Sequence, residues 1–381
     1  MRFPEHYVEY MTDRYLKRCF AFALMLLMLC MAVIAPAEEM TEPDELSDIE
    51  EIAETDEADP EEETEPAEET EPEEMDKAQK ESSGNESDFP PLNDDGFLDE
   101  GEFVCEDPEN GLWRYCSETL KVEIIRRNEN ADVPTVWYEA EVWSRKETFG
   151  LITAYQGEHF RRTDWPEPVC AKRGAVLAVN GDFACGRWAN MRYANKKYTV
   201  GIQIRDGEIC NDRTQNSGST AFPNMDTLAL YPDGTMEVHD SKELTAEEYI
   251  ERGATDVLSF GPWLLRDGQI NECLEKFNKS RAPRTAVGMV EPGHWFAMML
   301  EGRLKESKGG TIGYLAQKLK DRGCVNGFNL DGGETSCMLF MGKQINRVGG
   351  SHNRKGYARK AAEFLSIGTS ALVEGYDPEA E

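Results

Sequence analysis

Beyond residue 118 the chain is built from short stretches in which apolar and polar residues alternate. That period of two is the signature of half-buried strands. It predicts strands at 120–126, 136–143 and 149–154, and further ones at 257–260, 263–266 and 364–367. The run AVLAV at 175–179 is apolar throughout and predicts a strand covered on both faces, delivering Asn180-Gly181-Asp182-Phe183 at its end. Turn signals predict three hairpins: Asp206-Gly207 between 198–204 and 208–210, Pro232-Asp233-Gly234 between 228–231 and 236–239, and Pro292-Gly293 between 285–290 and 295–300. Helical periodicity is rarer. A short helix is predicted at 167–173, ended by Gly174. A second starts at Thr245 with Glu248 three residues on, a capping box. A third, 311–322, puts Ile312, Leu315, Ala316 and Leu319 on one face and is closed by Gly323. Together these predict an α+β domain: a mixed or antiparallel sheet core packed by a few helices.

The first hundred residues follow a different pattern. Arg14, Lys17 and Arg18 precede an apolar run at 19–34 and an Ala35-Pro36-Ala37 motif. This predicts a signal peptide or N-terminal anchor over 1–37. Of the net charge of −32, the segment 37–90 carries −23: 25 Asp and Glu against Lys77 and Lys80. Such a segment buries too little apolar area to offset its ordering entropy, which predicts a disordered acidic linker over 38–98. The domain proper is expected at 99–375, with a tail at 376–381. The expected location is secreted or anchored at the extracellular surface, with the N-terminal segment as a tether to membrane or cell wall. No basic stripe exists in the sequence, which argues against nucleic acid as a partner.

Eight of the ten cysteines lie outside the apolar run: Cys105, Cys116, Cys170, Cys185, Cys210, Cys273, Cys324 and Cys337. An even number in an exported chain predicts disulfides, and the local pairs are Cys105 with Cys116 and Cys324 with Cys337. A zinc site is the competing reading, but no C-x-x-C spacing occurs and histidine is scarce.

Four polar groups recur at predicted strand ends: Asn180 with Asp182, Arg284 with Thr285, Glu301 with Arg303, and the loop Asp331-Gly332-Gly333-Glu334-Thr335-Ser336. Each has a structural alternative. Asn180 can satisfy a turn, Arg284 can lie on the surface, Glu301-Gly302-Arg303 can be a solvated hairpin end, and Asp331-Gly332 can be a plain hairpin turn. Apolar strands would bring these ends together, however, and paired glycines can turn their N–H groups inward to receive an anion. The set therefore predicts one shared pocket.

The blocks AVNGDF, SFGPWLLRDGQI, RTAVGMV, EGRLKESKGGTIGYLAQKL and GCVNGFNLDGGETSCML occur in that order. In them the chain resembles the phosphodiester glycosidase domain family over 121–371. That family includes the enzyme that uncovers the mannose-6-phosphate marker by removing N-acetylglucosamine, and bacterial exopolysaccharide-associated proteins. The chain departs from its pattern in two places: Glu334 and Thr335 stand where the family shows Gly and Ser, and Asp182 where it shows Gly. Both changes add carboxylate.

The resemblance implies an exported glycosidase that hydrolyses a sugar-1-phosphodiester at the anomeric carbon, with a glycan or glycosyl-phosphate as partner. Such a reaction requires a carboxylate to stabilise oxocarbenium character or activate water, for which Asp331, Glu334, Asp182 and Glu301 are the candidates. It requires phosphate binding, suited to Arg284 and Arg303 with the Gly332-Gly333 backbone. It requires recognition of sugar hydroxyls, suited to Asn180, Thr285 and Ser336. Asp331 is expected as base or nucleophile and Arg284 as the phosphate clamp. The sequence fixes no cofactor; Ca2+ is a candidate ion, through Asp331, Asp182 and Asn180 as oxygen donors. His159, His239, His294 and His352 show no ligand spacing. Trp165, Trp188 and Trp263 are core or sugar-stacking residues, and Trp188 with Tyr193 a candidate pocket lid. Two alternatives stand beside this reading: a metal-assisted phosphodiesterase cutting P–O, and a non-catalytic glycan-binding surface protein.

Overall fold

A computed structural model describes residues 88–129, 133–153, 163–181, 201–212, 225–276, 280–350 and 356–379. The apolar N-terminal run, the acidic segment up to residue 87, Asp182, Cys185, Trp188, Tyr193, His159 and His352 lie outside the described residues.

The body opens as an antiparallel meander of β1 (Phe103–Asp107), β2 (Leu112–Cys116), β3 (Leu120–Glu129) and β4 (Thr135–Ser144). Then come β5 (Gly150–Thr153), helix α1 (Pro166–Lys172), β6 (Ala175–Asn180), β7 (Gln203–Arg205), β8 (Glu208–Asn211), β9 (Asp226–Leu230) and β10 (Met236–His239). Helix α2 (Ala246–Glu251) precedes β11 (Asp256–Phe260), β12 (Trp263–Arg266) and β13 (Gln269–Ile270). The hairpin β14 (Arg284–Glu291) and β15 (His294–Leu300) leads to helix α3 (Ile312–Asp321), β16 (Asn326–Asn329), β17 (Met338–Phe340), β18 (Lys343–Gln344) and β19 (Glu363–Thr369).

The strands form three sheets. A nine-stranded one runs β1-β2-β3-β4-β15-β14-β16-β12-β13, and two five-stranded ones run β10-β9-β11-β7-β8 and β18-β17-β6-β19-β5. Every named pairing among the described residues is antiparallel. The alternation along each strand decides what lies where. On β15, Trp295, Ala297 and Met299 face the main core, while Phe296, Met298 and Leu300 face α3. The main core also takes Val122, Val142, Leu228, Leu258, Val179, Met338 and Leu365, so the inner face of the large sheet packs on both smaller sheets. One helix covers the outside of each sheet. Helix α3 covers the large one through Ile312, Leu315, Ala316 and Leu319. Helix α1 covers the β6 sheet through Val169 and Cys170, and α2 covers the β9 sheet through Ala246 and Tyr249. Leu315 and Leu319 are fully buried, and each contributes about 2 kcal/mol.

The local signals act as their chemistry dictates. Thr245 and Glu248 form the reciprocal capping box, and Thr311 caps α3 by accepting from the Tyr314 N–H. Gly174 takes φ +64° after α1, in the left-handed region that favours glycine. Strands β1 and β2 were not legible: FVCED and LWRYC are short and broken by charge. The order also starts earlier than the linker expectation. Phe97 is buried, the Arg145 guanidinium lies over its ring, and Phe89 meets Phe103. At the other end Tyr376 packs on Gly174, and the Asp377 N–H donates to Lys172 O, so the tail remains attached.

The disulfide expectation is not met, because all seven described cysteines are free. Cys105 lies opposite Arg114 and Cys116 opposite Phe103, a diagonal placement about 7 Å across that exceeds ordinary disulfide reach. Cys324 belongs to the core under α3 and Cys337 to the core under α1. Burial pushes the Cys324 thiol up to about 12.

Asp256, at the start of β11, is nearly inaccessible and accepts from the Asp206 N–H at 3.3 Å. Burial lifts its carboxyl to about 6 against the opposing pull of Arg205. The folded state therefore favours the protonated acid, and this contribution is lost as pH rises from about 4 through 6. Replacing Asp256 with Asn should raise stability at pH 7 to 8 relative to the parent, by up to about 3 kcal/mol. The advantage should vanish near pH 4, as read by urea unfolding of both chains across that range.

Candidate active site

The loop between β16 and β17 is not a hairpin. Strand β16 belongs to the nine-stranded sheet and β17 to the sheet of β6, so residues 330–337 cross from one sheet to the other. The loop lies where β6 ends in Asn180 and β14 begins with Arg284 and Thr285. Asn180 ties the three pieces together. Its Nδ2 donates to Asp331 O at 2.8 Å, and its Oδ1 accepts from Thr285 Oγ1 at 2.7 Å and from the Cys337 N–H at 3.1 Å. Asn180, Thr285 and Ser336 are fully buried. They hold the loop from behind, and each is the sugar-binding candidate the sequence suggested. The Ser336 hydroxyl has no hydrogen-bond partner among the described residues.

Asp331 keeps 5% of its exposure. One carboxylate oxygen accepts from the Gly332 N–H at 2.8 Å, and the other faces Arg359 Nη2 at 3.4 Å. The Asp331 N–H donates to Gly181 O at 3.4 Å. Arg359 also donates from Nε to Thr335 Oγ1 at 2.7 Å and from its main-chain N–H to Glu334 O at 2.8 Å. The loop is thus fastened at both ends by one arginine. Sequence reasoning missed Arg359; the only signal was a basic run, Arg354 to Lys360, in an acidic chain.

The expected anion nest is absent from the glycine pair. Gly332 donates to the Asp331 carboxylate and Gly333 donates to Pro283 O, so both N–H groups are engaged within the protein. Positive charge comes from the side chains instead. Arg284 is half-buried, with Nε on Gly310 O at 3.0 Å and Nη2 on Ser280 O at 3.1 Å. Burial, and then the neighbouring Arg303, pull its pKa down to about 10, which leaves it charged at neutral pH. Arg303 is exposed, in a left-handed conformation with φ +56°. Its guanidinium sits beside Gly333, 3.7 to 3.8 Å from where a Cβ would stand. It makes no hydrogen bond or ion pair among the described residues. A non-glycine residue held at such a φ costs about 1–3 kcal/mol, a strain that collects at functional sites.

Glu334 is buried, and Gly350 closes over it: a Cβ at Gly350 would collide with the Glu334 carboxylate. Gly349 abuts the Arg303 carbonyl in the same way, and its N–H donates to Gly302 O at 2.9 Å. Glu301 is turned elsewhere. Its Oε1 accepts from the Arg347 N–H at 2.7 Å and from Tyr138 Oη at 3.3 Å, and burial raises its pKa. Among the described residues no three His, Cys, Asp or Glu side chains gather as a metal-ligand set. Trp165 lies under Lys360, and Trp263 donates from Nε1 to Asp240 Oδ1 at 2.9 Å.

A family model described as phosphodiester glycosidase matches residues 173–367, which span the whole of this loop system. The chain belongs to that family. The SPbeta prophage-derived uncharacterized protein YomE of Bacillus subtilis (strain 168) is 29% identical to this phosphodiester glycosidase family member over 173 residues. Those residues are 44% of this chain but 25% of YomE, so the chain spans about a quarter of the curated relative it matches. Among solved structures, the catalytic domain of zebrafish N-acetylglucosamine-1-phosphodiester alpha-N-acetylglucosaminidase, auto-inhibited by pro-peptide, is similar in fold. Its TM-score is 0.51 at 18% identity, covering 71% of this chain and 88% of that one.

The central role of the Asn180 amide is open to test. Thr285→Val keeps the side-chain shape but removes the hydroxyl donor, and should lower stability by about 1–2 kcal/mol in urea unfolding. Gly350→Ala should cost more, because the new methyl has to displace the buried Glu334 carboxylate.

Proposed function

We propose that this chain hydrolyses a glycosyl phosphodiester, breaking the bond between the anomeric carbon and the phosphate oxygen. The observation that carries the reading is the placement of the Arg303 guanidinium, unpaired among the described residues, beside Gly333, two residues along the chain from Asp331. A phosphodiester brings an anion for the one group and an anomeric carbon for the other. Arg303 receives the phosphate oxygens, and Arg284 behind it adds charge while tied to two carbonyls. Asp331 stabilises positive character at the anomeric carbon, or takes the proton of the attacking water. Arg359 and the Gly332 N–H fix its two oxygens, so no reorganisation is needed when charge develops. Phosphate is a good leaving group as an anion, so the demand for a strong general acid is small. Family membership supports this chemistry. Export of the chain and action on a surface or host glycan belong to the same proposal, motivated by the apolar run at 19–34 and the acidic segment.

Asp331→Asn should lower kcat on a sugar-1-phosphodiester by about a hundredfold or more, since an amide neither takes a proton nor balances an oxocarbenium charge. Arg303→Ala should chiefly raise KM. Turnover in heavy-oxygen water should place the label in the sugar; label in the phosphate would show P–O cleavage and replace this reading with a phosphodiesterase.

A further inference from the structure

Behind the Asn180 turn lies a second charged group that the proposed chemistry does not use. Arg205 on β7 and Glu363 at the start of β19 form a bidentate ion pair. Nη2 lies 2.8 Å from each carboxylate oxygen, and Nε lies 3.1 Å from Oε2. Their side chains are 4% and 3% exposed. The remaining guanidinium nitrogen donates to the carbonyls of Ile204 and Val257. The two residues belong to different five-stranded sheets, β7 to that of β9 and β19 to that of β6.

Taking two charges out of water is expensive, and an apolar pair of similar size is often as stable or more so. Stability is therefore a weak reason for the pair, and its neighbours suggest another. Glu363 O accepts from the Gly181 N–H at 3.2 Å, and the Glu363 stem lies against Gly181, with Cγ 2.8 Å from where a Cβ would stand. Gly181 O in turn accepts from the Asp331 N–H. A continuous path runs from the guanidinium, through the Glu363 stem and Gly181, to the backbone of Asp331.

We infer that the buried Arg205–Glu363 pair is a positioning device for the site: by fixing Glu363 against Gly181 it sets where the Asp331 backbone sits. The geometric half of this inference stands on the contacts alone, and its catalytic consequence rests on the function proposed above. The rotamer of Glu363 is set by the fork of Arg205, which is itself held by two carbonyls. Without that fork the acid has to seek water, and its stem leaves the glycine.

The test uses the full chain carrying Glu363→Gln, Glu363→Ala or Gly181→Ala. The last keeps both members of the ion pair but pushes the turn from the other side. Amide hydrogen exchange is read on peptides covering Gly181 and Asp331, with β10 as internal reference, and kcat and KM are measured on a sugar-1-phosphodiester. Exchange at Asp331 should quicken about tenfold or more in the variants while β10 is unchanged. The same variants should lose about tenfold or more in kcat with KM within about twofold. Unchanged exchange at Asp331 in folded variants overturns the inference, whatever the activity. Exchange that quickens equally in β10 also overturns it, because the pair is then a general stabiliser. Quickened exchange at Asp331 together with a parent chain that turns over no sugar-1-phosphodiester upholds the positioning role and removes the proposed function. If Glu363→Ala does not fold, Glu363→Gln and Gly181→Ala decide.

Discussion

One buried amide holds the candidate site together. The side chain of Asn180 satisfies a carbonyl of the crossover loop, a hydroxyl of β14 and an N–H at the start of β17. Those partners come from two different sheets, and main-chain bonds from the Leu330 N–H to Thr285 O and from the Asp331 N–H to Gly181 O add to the tie. A buried amide with three well-made bonds is costly to replace, because each lost partner strands another polar group away from water. The sheets can form by apolar alternation alone, but their mutual placement at this end depends on a directional polar contact.

Much of the architecture was legible because alternation is a local property. The strands around 120–126, 136–143, 175–179 and 285–300, the helices and their caps all follow from residues within a few positions of one another. The convergence of polar strand ends was also readable for Asn180, Thr285 and Asp331. What each group does there was less so. Whether a glycine N–H faces a ligand or Pro283 O depends on where residue 283 lies, fifty positions away in sequence. Whether Arg284 is free or tied depends on the carbonyls of Gly310 and Ser280. The cysteine reading failed for the same reason: an even count says nothing of register, and register put Cys105 opposite Arg114. Arg359 lay outside every periodic pattern, so only the folded chain could show it reaching Asp331.

The charge of the chain and the charge of the site point in opposite directions. Most of the net charge of −32 lies in the segment 37–90, yet the rim of the crossover loop carries Arg284, Arg303 and Arg359. Two guanidiniums close enough to depress the pKa of one of them repel each other, and a bound anion relieves that repulsion. The departure at Glu334 and Thr335 fits the same picture. The Thr335 hydroxyl accepts from Arg359, and the Glu334 carboxylate occupies space left by Gly350. Each added group is absorbed into the scaffold around the cationic rim.

The crossover loop also bears on how this protein fails. Because its two flanking strands belong to separate sheets, breathing of one sheet against the other strains residues 330–337 before either sheet loses its own ladder. Heat or mild denaturant will then loosen residues 330–337 while the spectroscopic signature of the sheets still reads as native.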